Sequence, residues 1–153
     1  MKEETGNIWH YPPRGYLIVI PTNMGWRKDG WNVMGRGLAK QASMKFPKLP
    51  AIYGEMCQDM ADTGPEIRFW ADLVLFPVKP LNEEFPYRSW QSHALPELIE
   101  QSAIQLAEWT NEEEQVAVPL VGCGNGQLSE TVVLPILNNY LNDDRFVLVR
   151  QGE

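Results

Sequence analysis

The sequence predicts an α/β layered fold built on a sheet that contains parallel strand pairs. Two observations carry that expectation. Short apolar runs rich in β-branched residues, YLIVIPTN at 16–23, ADLVLFPVK at 71–79 and RFVLV at 145–149, read as buried strands. Segments that permit or demand a helix alternate with them, and that alternation is the mark of strand–helix–strand units.

Taken in order, the first of these strands is expected to end near Pro21. A glycine-punctuated stretch, MGWRKDGWNVMGRG, follows it, and LAKQASMKF at 38–46 permits a helix that Pro47 and Pro50 stop. AIYGEMCQDMA allows a second short helix, and residues 71–79 form the next buried strand. Residues 80–90 hold Pro80, Asn82 and Pro86 and read as a loop. ALPELIEQSAIQLAEW at 94–109 has the strongest helical period, with Leu95, Leu98, Ile99, Ala103, Leu106 and Ala107 on one face. VAVPLVGCGNGQLSE at 116–130 opens as an apolar strand and runs into Gly122, Gly124 and Gly126. SETVVLPILNNYL then reads as a helix, with Ser129 as its N-cap and Pro135 kinking or delaying it. A strand at 145–149 closes the chain.

Composition narrows the classes of function. A chain of 153 residues fits one domain, 1–153, that buries about 70% of its unfolded surface. The net charge of −7 argues against gripping duplex nucleic acid by neutralising phosphates. It leaves room for a local pocket that takes a small anion or one unstacked nucleotide. Cys57 and Cys123 are too few for a disulfide framework, and His10 and His93 lie far apart. Neither a metal nor a cofactor is therefore expected. No apolar run approaches the roughly 20 residues of a membrane helix, and MKEETGNIWH lacks a secretion pattern, so the expected compartment is the cytoplasm.

Chemistry concentrates where the strands end. In open α/β sheets, ligands gather beyond the carboxyl ends of the strands. Pro21-Thr22-Asn23, Pro77-Val78-Lys79 and the glycines after Leu120 occupy three such exits. Glycine-rich loops at 35–39 and 122–128 both lead into expected helices, an arrangement suited to holding phosphates between them. The same glycines also serve as plain turns. GRGLAK fails as a dinucleotide fingerprint because Lys40 stands where its third glycine belongs. GWNVMGRG fails as a P-loop because Arg36-Gly37 replaces the required Lys-Ser/Thr.

Cys123 is a nucleophile only if a base creates its thiolate; otherwise it is a small residue packed beneath the loop. Lys79 offers more. A free lysine is neutral in about one molecule in 2,500 at pH 7, and partial burial at a strand end raises that fraction. A neutral amine there attacks electrophilic carbon. The alternative is a solvated lysine leaving the sheet.

These segments together resemble the macrodomain family. GNIW at 6–9 looks like the segment after that family's first strand, PTN with VMGRGLAKQ like its first binding segment, and VPLVGCGNGQL like its second phosphate loop. MGRGLA…KFP, FPVK and GCGNGQL are most similar to the branch holding the terminal ADP-ribose glycohydrolase and the DarG antitoxin. The resemblance implies a three-layer α/β/α sandwich with a mixed central sheet. It also implies ADP-ribose held between the loops and released from a modified target, a DNA base such as thymidine, by attack of the Lys79 amine.

In that reading Asn23 positions the distal ribose. Gly35, Arg36, Gly37 and Leu38, with Gly122, Cys123, Gly124, Asn125, Gly126, Gln127 and Leu128, hold the pyrophosphate and ribose. Asn7 and Ile8 receive the adenine, and Arg88 and Trp90 stack on or pair with single-stranded DNA, unless Trp90 packs beneath its loop. Gly126 stands where the protein-directed glycohydrolase carries an Asp, which favours the DNA-directed branch. The implied functional partner is an ADP-ribosyltransferase toxin, and the implied state a monomer. Two alternatives remain: a non-catalytic reader of ADP-ribose or a cyclic relative, and a phosphatase of ADP-ribose 1″-phosphate.

Overall fold

The structure, a computed structural model, describes residues 1–152. Strands β1 (Lys2–Gly6), β2 (Tyr16–Asn23), β3 (Arg68–Trp70), β4 (Leu73–Lys79), β5 (Gln115–Val118) and β6 (Phe146–Gln151) form one sheet in the order β1-β6-β5-β2-β4-β3. Every neighbouring pair is parallel except β3 with β4, so the sheet is mixed. Helices α1 (Gly37–Lys45) and α2 (Leu49–Met60) cover one face, α3 (Pro96–Trp109) and α4 (Glu130–Tyr140) the other.

The period of two in β2 divides the two cores. Ile18 and Ile20 point to the α1–α2 side with Ala42, Leu49, Tyr53, Cys57 and Met60. Val19 points the other way, beside Val74, Phe76, Ile99, Leu106, Val133 and Leu137. A strand buried on both faces shows no polar alternation, which is why YLIVI reads as one continuous apolar run. The result is a three-layer α/β/α sandwich. No helix among the described residues is long and apolar enough to cross a membrane.

Several expectations are corrected. Strand β2 continues two residues past Pro21, because β4 pairs with it as far as Asn23. Leu95 is not on the buried face of α3: it is the N-cap, 40% exposed, and the helix begins at Pro96. Pro135 does not delay α4, which starts at Glu130 and runs on through Tyr140. Proline removes only the bond to the Thr131 carbonyl, and Thr131 and Pro135 both lie on the exposed side. Residues 80–90 are not wholly irregular, since a 3-10 helix spans Pro86–Gln91.

Strands β1 and β3 escaped the apolar pattern. KEETG is an exposed edge strand held by its register with β6 and by the Glu3–Arg150 ion pair. Strand β3 is a three-residue antiparallel edge.

Candidate functional site

A cavity of about 870 Å³ opens at the carboxyl ends of β2, β4, β5 and β6. The loop 33–36 and the start of α1 form one wall, and the glycine loop 119–126 forms the other. They meet where Asn125 approaches Gly37: a Cβ on that glycine would lie 3.5 Å from Asn125 Nδ2.

The first wall is a helix N-terminus without a side-chain cap. Arg36 occupies the N-cap of α1, but its side chain makes no capping bond. The N–H groups of Gly37, Leu38 and Ala39 therefore have no partner within the helix, and all three residues line the cavity. The opposite helix differs. Ser129 caps α4 by accepting from Thr131 N at 3.2 Å, and Glu130 in its first turn pairs with Arg150.

The second wall uses loop backbone instead. Its folded shape is held by Leu128 N donating to Gly122 O at 2.9 Å, Gln127 N to Gly124 O at 3.1 Å, and Ala94 N to Gly126 O at 3.0 Å. The N–H groups of Gly122, Cys123, Gly124, Asn125 and Gly126 make no hydrogen bond among the described residues. All five residues line the cavity, and consecutive unbonded N–H groups of this kind are suited to cradling an anion. Gly126 is required by close approach, since a Cβ there would sit 2.5 Å from Gly122 O and 2.8 Å from Ala94 Cβ. An Asp cannot occupy that position without remodelling the loop.

Between the walls, Asn23 and Lys79 face each other across β2 and β4. The register shifts at Thr22/Asn23: Thr22 pairs with Pro77, and Asn23 with Lys79, skipping Val78. Asn23 Oδ1 accepts from Gly25 N and from Asn32 Nδ2, both at 3.0 Å, and its Nδ2 donates to Val33 O at 2.8 Å. One N–H of the Asn23 amide is left over. The Lys79 amine donates to the Trp90 carbonyl at 2.7 Å. Burial, and to a lesser degree the positive charge of Arg36, lower the Lys79 pKa from its ordinary value. Gly25 packs so closely on Pro86 and Ser89 that a Cβ there would collide with both. That contact locks the segment after Asn23 against the 3-10 helix carrying Trp90.

The field inside is positive in an acidic protein. The chain has 20 Asp and Glu residues, yet none lines the cavity, whereas Arg36, Lys79 and Arg150 do. Arg150 is compensated by Glu3 and Glu130; Arg36 has no carboxylate partner among the described residues. Its guanidinium lies 5.6 Å from the centre of the Trp90 ring. Burial and the nearby Glu130 carboxylate push the Cys123 thiol up, so it stays protonated at neutral pH. Its unbonded backbone N–H, rather than its sulfur, is the group available to a ligand.

Of the residues expected here, Asn23, Gly35, Arg36, Gly37, Leu38, Lys79, Trp90 and 122–126 line the cavity. Five do not. Asn7 follows β1 beside the Gln151 that does line it, and its Oδ1 accepts from Trp9 N at 3.0 Å. Ile8 is buried in the α1–α2 core, and Leu128 packs into the α3–α4 core. Gln127 is an exposed left-handed corner of the loop, with φ of 63°. Arg88 lies over Phe85 and Tyr87. The sequence reading missed Asn32, whose buried amide holds Asn23, and the Val149–Gln151 end of β6. A buried Asn amid polar loop residues carries no local signal.

No family model matches the sequence, and neither does any curated protein. Solved structures do. A structure of Thermosipho africanus DarTG in complex with ADP-ribose shares 21% identity over 99% of this chain, at a TM-score of 0.71. The macrodomain of Mycobacterium tuberculosis DarG shares 22% over 98% of each chain, also at 0.71. The macrodomain of Thermus aquaticus DarG shares 23% over 99% of this chain and 97% of its own, at 0.70. The fold is thus that of the macrodomains. DarG macrodomains are matched over nearly their whole length, whereas this chain spans 42% of the DarTG chain.

Proposed function

We propose that this protein binds ADP-ribose in the cavity and releases it from a modified DNA base, with Lys79 as nucleophile. One observation carries the binding reading: residues 122–126, whose five backbone N–H groups make no hydrogen bond among the described residues, line the same acid-free cavity as the uncapped N-terminus of α1. A pyrophosphate between them meets donors from both sides and the positive helix end. Adenine lies toward Gln151 and Asn7. Because Asn7 Oδ1 is engaged by Trp9 N, its amide meets the base as a donor.

The distal ribose then lies at Asn23 and Lys79. The spare Asn23 N–H donates to a ribose hydroxyl oxygen. The neutral Lys79 amine, aimed by its bond to Trp90 O, forms a C–N bond to the anomeric carbon as the bond to the base breaks. The base leaves with the bonding pair and takes up a proton, and water later cleaves the lysine adduct to free ADP-ribose. The resemblance to the DarG antitoxin branch implies an ADP-ribosyltransferase toxin as functional partner, and the likeness to a DarTG structure that holds ADP-ribose supports that reading.

The lack of any Asp, Glu or His among the lining residues supports a second reading, a binder without turnover, since no carboxylate or imidazole is there to move a proton. Both readings meet in one experiment: free ADP-ribose released from a thymidine-ADP-ribosylated oligonucleotide, with wild type and Lys79→Ala side by side and ADP-ribose affinity measured by calorimetry. Release that collapses in the variant, with affinity kept, is expected. Affinity without release by wild type leaves the binder, and absence of affinity sinks both.

A further inference from the structure

The third cation of the cavity, Arg150, is held differently from Arg36 and Lys79. Its Nε donates to Glu3 and its Nη2 to Glu130, whereas its Nη1 makes no hydrogen bond among the described residues. The fold brings these partners from two directions. Thr5 of β1 pairs in register with Arg150, so Glu3, two residues earlier, lies on the same face of the sheet. Glu130 comes from the first turn of α4. Ion pairs this exposed contribute little stability, yet they fix where the guanidinium sits and cancel its charge. One cation between two carboxylates leaves the cluster net negative.

Arg150 stands where the adenosine half of the ligand belongs. From β6 through β5 and β2 to β4, the strand ends beneath the cavity are three steps apart, roughly 14 Å at about 4.8 Å per step. With the distal ribose at Lys79 and the pyrophosphate at 122–126, the adenosine ribose reaches the end of β6. Burial, and then the Glu130 carboxylate, push the Cys123 thiol up, which puts Glu130 beside the glycine loop. The Arg150–Glu130 pair therefore spans from the end of β6 to that loop, between the places for adenine and pyrophosphate. In dinucleotide sites an acid selects the free 2′-hydroxyl of this ribose, and an available Arg accepts a 2′-phosphate.

We propose that Arg150, neutralised by Glu3 and Glu130, is a specificity residue that admits ADP-ribose with a free 2′-hydroxyl on its adenosine ribose and rejects the 2′-phosphorylated form. This selectivity rests on the reading of the cavity as the ADP-ribose site. The Nη1 group donates to the hydroxyl oxygen. A 2′-phosphate meets the same donor, but the two carboxylates behind it repel the added charge. Targets modified from a 2′-phosphorylated dinucleotide are thereby excluded.

The test is calorimetry of each protein with ADP-ribose and with 2′-phospho-ADP-ribose, read as the ratio of the two affinities, so that a loss of fold affects both ligands alike. Wild type is expected to bind the phosphorylated ligand about tenfold more weakly. Glu3→Gln combined with Glu130→Gln frees Arg150 and is expected to bring the two affinities to parity or reverse their order. Arg150→Gln, which leaves both carboxylates unpaired, is expected to widen the ratio. Glu97→Gln combined with Glu108→Gln removes two exposed charges from α3 and should leave the ratio at its wild-type value. Equal affinities in wild type overturn the selectivity and leave the cavity reading standing. So does a wild-type ratio that survives the loss of both Glu3 and Glu130 carboxylates. Affinity for neither ligand overturns the cavity reading, and the selectivity falls with it.

Discussion

The two glycine-rich loops look alike as text, yet they present N–H groups to the cavity in different ways. The loop at 35–37 is open, with Gly35 and Gly37 exposed, and its donors come from the unsatisfied first turn of α1. The loop at 122–126 folds onto itself and onto α3, where Gly122 and Gly126 are buried, and its donors come from the turn itself. Its following helix is closed by Ser129. One wall thus depends on a helix end and an exposed cation, Arg36. The other depends on packing too tight for a side chain. Preorganised donors of the second kind need no rearrangement when an anion arrives.

Breaking the packed loop should have the largest effect. Gly126→Ala forces its Cβ against Gly122 O and Ala94, at a stability loss of about 1–3 kcal/mol. It also misaligns N–H groups whose bonds to a charged ligand contribute about 1.5–3 kcal/mol each. Calorimetry is expected to show ADP-ribose affinity falling on the order of 100-fold. Gly124→Ala meets no atom within 4 Å, so its melting temperature should stay at the wild-type value. Equal melting of the two variants would show that the second loop is not packed as described.

Asn32→Ala acts between the loops. It removes the donor shared by Asn23 O, Asn23 Oδ1 and Gly25 O, at a stability cost of about 1–3 kcal/mol. With Asn23 free to turn, kcat should drop about tenfold with little change in KM. A change in KM alone would mean that Asn32 serves binding rather than alignment.

Arg36→Gln sharpens the role of the open loop. If Lys79 is the nucleophile as proposed, its neutral amine is the attacking form, so release should rise with pH through the lowered Lys79 pKa and level off below the ordinary value of 10.5. Removing the Arg36 charge lets that pKa climb, and the rising limb moves to higher pH. Burial, the larger cause, persists, so the limb should still lie below the ordinary lysine value. An unmoved limb would remove Arg36 from the electrostatics of Lys79.

Ser129→Ala should have the smallest effect, about 1 kcal/mol of stability from the lost cap, seen in a thermal melt. ADP-ribose affinity should remain within a factor of two, because the first turn of α4 faces Arg150 and not the ligand. A gain in affinity would show that the freed helix end had been a suppressed second anion site.

Much of this arrangement is legible in the sequence, and the rest is hidden for a physical reason. Continuous apolar runs mark β2, β4 and β6, and the period of α3 marks its buried face, because hydrophobic spacing is a local property of the chain. The glycines, the strand-end position of Lys79 and the fold class are readable for the same reason. Which N–H groups remain unpaired is not readable, since satisfaction depends on neighbours far away in sequence, as when Ala94 N takes Gly126 O. Nor does the sequence reveal that KEETG joins the sheet, that Asn32 lies beneath Asn23, or that one skipped residue in β4 sets Lys79 opposite Asn23. Register and burial come from the summed packing of two cores on one sheet, so only the tertiary structure decides them.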